Sequence, residues 1–84
     1  MLQATFSVLR QILLELGFTE QSSSTDQVRF DHVATGTWFL FRTHKDDELV
    51  NVPNLVAVRR ILDEKGLLSR DQFDERLRSR LIAG

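Results

Sequence analysis

The 84-residue chain has no cysteine, which removes a disulfide framework and a zinc–thiolate site from consideration. It also lacks any run of eighteen apolar residues, and any basic-then-apolar leader ending in small residues. Neither a membrane-spanning helix nor a secretory signal is therefore expected, and the reading is a cytoplasmic domain with no membrane association. No charge of one sign dominates: 11 Lys and Arg stand against 12 Asp and Glu, for a net charge of −1. Avid, non-specific nucleic-acid binders usually show a basic excess or stripe, so the balance argues against one while leaving room for a small local site. The two histidines belong to no close cluster of Cys, His and Asp at metal-ligand spacing, so no metal and no cofactor is expected. No His-Glu-x-x-His, glycine-rich phosphate loop or Ser-His-Asp spacing occurs, which weakens the case for an independent hydrolase. The paired carboxylates Asp46-Asp47 fall in a charged, solvated stretch.

What remains is an ordinary globular mix, 42% apolar and 27% charged, rather than a disordered one. The length suits one domain, residues 1–84, with a single modest core. At typical stabilities per residue such a fold is worth roughly 4–13 kcal/mol. No repeat or low-complexity linker divides it.

Phe6, Leu9, Leu13 and Leu16 recur at helical spacing, with Ile12 widening the stripe, and predict an amphipathic helix over Leu2–Leu16. Thr5 or Ser7 can cap its start. Gly17 stands where a left-handed C-cap is wanted, and Phe18 can fold back on Leu13. Thr19–Asp26 is polar and reads as a short edge strand running into a mobile loop. In Gln27–His32, Val28, Phe30 and His32 share one face while Gln27, Arg29 and Asp31 share the other. In Thr37–Arg42, Trp38, Leu40 and Arg42 alternate with Phe39 and Phe41. The connection Val33–Gly36 between them predicts an antiparallel hairpin. Because Thr37–Arg42 is apolar on both faces, either both are covered or one is an exposed aromatic surface.

Thr43–Val50 reads as a charged loop, and Asn51 as the N-cap of a helix with Pro53 in its first turn. Leu55, Val58, Ile61 and Leu62 point inward along that helix, which stops at Gly66-Leu67 by the device used at Gly17-Phe18. Ser69-Arg70-Asp71-Gln72 matches a capping box and starts a third helix with the stripe Phe73, Leu77, Leu81. Arg59–Asp63, Arg60–Glu64 and Asp74–Arg78 are spaced as i,i+4 ion pairs. The expected class is α+β, in the order α-β-β-β-α-α.

Three features together resemble the HicA (YcfA-like) family of small bacterial toxins: the helix ending in Gly17-Phe18, the spacing to Phe30-Asp31-His32, and the stretch Ile61–Leu67. The resemblance spans residues 5–68, with 69–83 an additional C-terminal helix. It implies a double-stranded-RNA-binding-domain-like α-β-β-β-α core, a three-stranded antiparallel sheet with helices on one face. It also implies an mRNA-cleaving ribonuclease whose strand histidine acts as acid and base and is covered by a HicB-type antitoxin. The Gly-Ser-His slot of that family falls here on Thr25-Asp26-Gln27. An amide does not titrate, so Gln27 at the family's histidine position implies a rate lower by about a hundredfold to ten-thousandfold.

His32 is then the remaining candidate for catalysis, and its simpler reading is a partly buried strand-end residue bonded to backbone. Arg29, Arg42, His44 and Lys45 are the candidate RNA contacts. Arg42–Lys45 is a basic cluster able to meet one or two phosphates, against the simpler reading of a solvated loop facing Asp46, Asp47 and Glu48. Trp38, Phe39 and Phe41 can stack on bases or belong to the core. Two functions follow: a catalytically degenerate HicA-like domain binding single- or double-stranded RNA or a HicB-like antitoxin, or a protein-interaction or homodimerising module without RNA activity. An active toxin using His32 is a third.

Overall fold

The computed structural model of the chain describes residues 3–42, 45 and 47–83, and for Ser23 and residues 80–83 the backbone alone. Six elements follow in the order α1 (Phe6–Glu15), β1 (Thr19–Ser24), β2 (Gln27–His32), β3 (Thr37–Arg42), α2 (Val52–Glu64) and α3 (Arg70–Ala83). The strands form one antiparallel sheet in the order β1-β2-β3. This is the expected α+β arrangement, a double-stranded-RNA-binding-domain-like α-β-β-β-α core followed by a further helix.

The first helix starts at Phe6 rather than Leu2, because the residues before it pair with a distant segment. Thr5 forms an isolated antiparallel bridge with Leu49. The Val50 N–H donates to the Ala4 carbonyl at 2.8 Å and the Phe6 N–H to the Glu48 carbonyl at 2.9 Å. The Thr5 hydroxyl then caps the helix by accepting from the Val8 N–H at 3.3 Å. At the other end the Phe18 N–H reaches the Leu13 carbonyl and the Gly17 N–H the Leu14 carbonyl, the two bonds of a Schellman motif. Gly17 takes φ +98° there. The same pair of bonds closes α2, from Leu67 to Leu62 and from Gly66 to Asp63.

The expected mobile loop after β1 is instead a tight turn. β1 runs to Ser24, which pairs with Gln27, so only Thr25 and Asp26 connect the two strands. A register shift between Ser22 and Ser24 absorbs one residue, as a β-bulge does. Asp26 takes a 2.8 Å hydrogen bond from the Ser24 hydroxyl across the turn. Two residues of the slot aligned with Gly-Ser-His therefore lie in a turn, and only Gln27 is on the strand.

One face of the sheet is core. Val28, Phe30, Phe39 and Phe41 are buried with Phe6, Leu9, Ile12 and Leu13 of α1, Leu55, Val58 and Leu62 of α2, and Phe73 and Leu77 of α3. Phe6 meets Phe30 and Phe41 with ring centroids 6.4 and 6.5 Å apart. All three helices thus feed one core on one side of the sheet.

α3 begins at the expected capping box. The Gln72 N–H donates to the Ser69 hydroxyl and the Ser69 N–H to the Gln72 side-chain oxygen, at 3.2 and 3.3 Å. Asn51 stands at the N-cap of α2 but makes no side-chain capping bond. Leu81, the third residue of the expected α3 stripe, lies outside the described side chains. Of the ion pairs expected within helices, Arg60–Glu64 forms at 3.8 Å. Arg59 instead makes a two-pronged contact to Asp74 of α3, at 3.0 and 2.8 Å, and Arg78 turns to Glu75. Asp63 is met by Arg70 and Glu15 by Arg76. Tertiary packing decides here: a bidentate guanidinium–carboxylate contact between helices outcompetes a single-pronged i,i+4 pair.

Candidate functional site

Among the described residues, no helix covers the outer face of the sheet. On β2 the outward residues are Gln27, Arg29 and Asp31, and on β3 they are Trp38, Leu40 and Arg42. Antiparallel register sets Asp31 opposite Trp38, Arg29 opposite Leu40, and Gln27 opposite Arg42. Trp38 and Leu40 keep 53% and 43% of their surface exposed. This settles the ambiguity of an apolar strand: Phe39 and Phe41 are core, and Trp38 is surface.

Arg29 organises this face. Its Nε lies 2.8 and 3.0 Å from the two Asp31 carboxylate oxygens, and its guanidinium carbon sits 4.6 Å from the centroid of the Trp38 ring. The planar guanidinium thus meets a carboxylate through its edge and an indole through its face. Two consequences follow. The charge of Arg29 is balanced locally, and the Trp38 ring is held in place although half of it is open to solvent.

Gln27 and Arg42 form the far row of the same face, with Gln27 half-buried and Arg42 exposed. Three of the sequence-derived candidates, Gln27, Arg29 and Arg42, are therefore brought together. His32 stands apart from Gln27 and Arg42, although it borders the same hollow as Arg29. It lies at the opposite end of β2, about 17 Å from Gln27 at the usual rise per strand residue, and its side chain alternates to the core side.

There the His32 ring packs on Phe18, with centroids 5.1 Å apart. Its Nδ1 is 2.9 Å from the Thr35 hydroxyl, which is 2.8 Å from the hydroxyl of buried Thr37. The partner is thus a hydroxyl chain within the β2–β3 connection rather than backbone. A Cβ placed on Gly17 would lie 3.5 Å from the His32 Nε2. This is ordinary contact, so the positive φ, not lack of space, is what asks for glycine. His32 joins the end of α1 to the hairpin.

Lys45 is exposed beyond β3. Thr43, His44 and Asp46 lie outside the described residues, and with them the middle of the expected Arg42–Lys45 cluster. Among the described residues no group of three His, Cys, Asp or Glu is arranged to hold a metal ion, and no helix is long and apolar enough to cross a membrane.

An open hollow of about 310 Å³ lies at the hairpin end of the outer face, lined by Gln21, Arg29, Asp31, His32, Trp38 and residues of the β2–β3 connection. A second, of about 450 Å³, is lined by Asp71, Gln72, Glu75, Arg76 and Arg78 of α3 and contains none of the candidate residues. Sequence reasoning missed Asp31 as the partner of Arg29, and the Thr35–Thr37 pair as the partner of His32. The first was signalled by the Arg-x-Asp spacing, which puts both side chains on one strand face. The second depends on how the hairpin closes and had no local signal. No protein-family model, curated protein or solved structure matches the chain.

Proposed function

We propose that the chain is a non-catalytic binding domain of HicA-like form that engages a protein partner through the outer face of its sheet. The observation that supports this best is the exposed Trp38–Leu40 pair on a strand face whose nearest arginine is already neutralised by Asp31. Centres of protein interfaces favour such aromatic and aliphatic surface, with charge paired or at the rim. A helix-covered toxin core does not require it. The apolar residues described on α3, Phe73 and Leu77, are buried, so β3 rather than the added helix offers the contact.

Catalysis finds less support. Gln27 supplies no titrating group, and His32 faces the core side with its Nδ1 engaged by Thr35. An RNA reading rests on the Arg29–Trp38 stack beside Arg42, an aromatic platform of the kind on which bases stack. With net charge −1 and Arg29 paired, that face offers few free cations for phosphates.

Trp38 is the chain's single tryptophan, so intrinsic fluorescence reports directly on this face. The test is a titration with a HicB-like antitoxin domain, with labelled single-stranded RNA and with duplex RNA, at low salt. The expected outcome is a shift in emission with the antitoxin, none with either RNA, and no RNA cleavage by the chain or by a Gln27→His variant. RNA binding that moves the Trp38 signal and disappears in Trp38→Ala would replace the protein partner by RNA. Cleavage abolished in His32→Ala would overturn the non-catalytic reading.

A further inference from the structure

The sheet has two edges, and they are built differently. β1 is a polar strand, Thr-Glu-Gln-Ser-Ser-Ser, interrupted by a register shift between Ser22 and Ser24. Those are devices that keep an edge from recruiting another strand. β3 has none of them. Its sequence Thr-Trp-Phe-Leu-Phe-Arg contains no proline and no lysine, its register with β2 is unbroken from Thr37 to Arg42, and its charge is confined to the last residue. Among the described residues, β3 makes backbone hydrogen bonds to β2 and to no other segment.

We propose that this edge pairs with the β3 edge of a second copy of the chain, forming a two-fold dimer with a continuous six-stranded sheet. The proposal rests on the reading of the domain as a protein-binding module and names its partner. The sequence of the strand favours its own copy. A two-fold axis normal to the sheet keeps outer residues opposite outer residues, so an antiparallel β3–β3 pair is centred on a residue. Centred on Leu40, it sets Leu40 against Leu40 of the copy, Trp38 against Arg42, and Phe39 against Phe41.

Each pairing is favourable in kind. Arg42 can approach the side of the Trp38 ring not taken by Arg29. Phe39 and Phe41 continue an aromatic row that already runs through the core side of the sheet, 6.0 Å between centroids within one chain. No two like charges stand opposite one another. The dimer also joins the two Trp38–Leu40 patches into one surface across the axis. A single strand-to-strand contact lies at the small end of specific interfaces, below about 1,200 Å², so the association belongs to the micromolar range and calls for measurement at high concentration.

The test uses the chain's lack of cysteine. In this register Leu40→Cys faces its own copy with Cα atoms about 4.5–5.5 Å apart, inside the span of about 4.4–6.8 Å that a disulfide bridges. Trp38→Cys is four residues out of step with itself, about 13 Å along the strand. With oxidised glutathione as oxidant, Leu40→Cys is expected to give a covalent dimer. Trp38→Cys and Arg42→Cys are each expected to remain monomeric alone, and to cross-link when mixed. Sedimentation of the unmodified chain is expected to show concentration-dependent dimerisation, weakened by at least about tenfold in Leu40→Lys, where two ammonium groups meet at the axis. Thermal melts confirm that each variant folds.

A chain that stays monomeric at every concentration, yet still answers the antitoxin through Trp38, overturns the dimer and leaves the protein-binding reading standing. A dimer that survives Leu40→Lys but is lost in Val56→Lys, on the exposed side of α2, overturns the β3 edge as its seat. Cross-linking of Trp38→Cys alone as fast as Leu40→Cys overturns the register.

Discussion

Replacing Phe73 by alanine tests whether α3 is part of the fold or an appendage to a smaller core. Phe73 is completely buried, Leu77 one turn on is nearly so, and Asp74 between them holds Arg59 of α2 in a two-pronged contact. Removing a fully buried phenylalanine side chain costs about 3–5 kcal/mol in lost transfer energy and residual cavity. The whole domain is worth roughly 4–13 kcal/mol, so Phe73→Ala should consume a large share of its stability. For a domain of this size each kcal/mol moves the melting temperature by about 4–8 °C, and the midpoint should fall by about 12 °C or more. Far-ultraviolet circular dichroism during heating, with urea melts at fixed temperature, measures it. Ser79→Ala, at an exposed position on the same helix, is the control and should stay within about 0.5 kcal/mol. A loss below about 1 kcal/mol for Phe73→Ala would refute the reasoning. It would mean that α3 packs loosely and that residues before it fold without it.

Two further predictions concern the ends of helices. Gly17→Ala forces a Cβ into φ +98°, and should lower stability by about 1–2 kcal/mol. The ordinary contact with His32 adds little, so His32→Ala should not rescue it in a double-mutant thermal melt. Ser69→Ala removes one half of the reciprocal capping pair with Gln72 and should cost about 1 kcal/mol, read by urea denaturation. No change there would show that the packing of Phe73 alone sets where α3 begins.

Much of the architecture was legible because local chemistry and tertiary context agree. Gly17-Phe18 and Gly66-Leu67 announce helix ends through backbone conformation alone, and Ser69–Gln72 announces a start through two side-chain bonds. The alternation in β2 identified its buried face. The errors fall where distant groups compete with local rules. The composition before Phe6 permits helix, while the bridge from Thr5 to Leu49 takes the hydrogen bonds of residues 4–6 elsewhere. Spacing offers Asp63 to Arg59, and packing gives it Asp74. Asn51 holds the N-cap position without using its side chain. At the candidate site, strand parity puts Gln27 and Arg29 on one face of β2, but that Arg42 stands beside Gln27 follows from the β2–β3 register, which the spacing alone does not give. The same parity already set His32 on the other face, so treating it as part of one site asked a strand to point both ways. Which apolar face of β3 would stay open was beyond the sequence, since both are equally apolar and only the placement of the helices decides.

The pairing of the chain's beginning with its middle has a consequence for how it is made. The N–H of Phe6 and its acceptor at Glu48 are 42 residues apart, which at bacterial and eukaryotic synthesis rates of about 5–20 residues per second separates their births by roughly 2–8 s. Over that interval α1 exists without its final anchor, its stripe of Phe6, Leu9, Ile12 and Leu13 waiting for a surface to cover it. The three strands emerge next, in the order in which they pair, so the nascent helix meets a growing sheet before it meets either of the other helices. The bridge from Thr5 to Leu49 is a late latch: its second segment follows β3 in the chain, so it can close only once all three strands have been made.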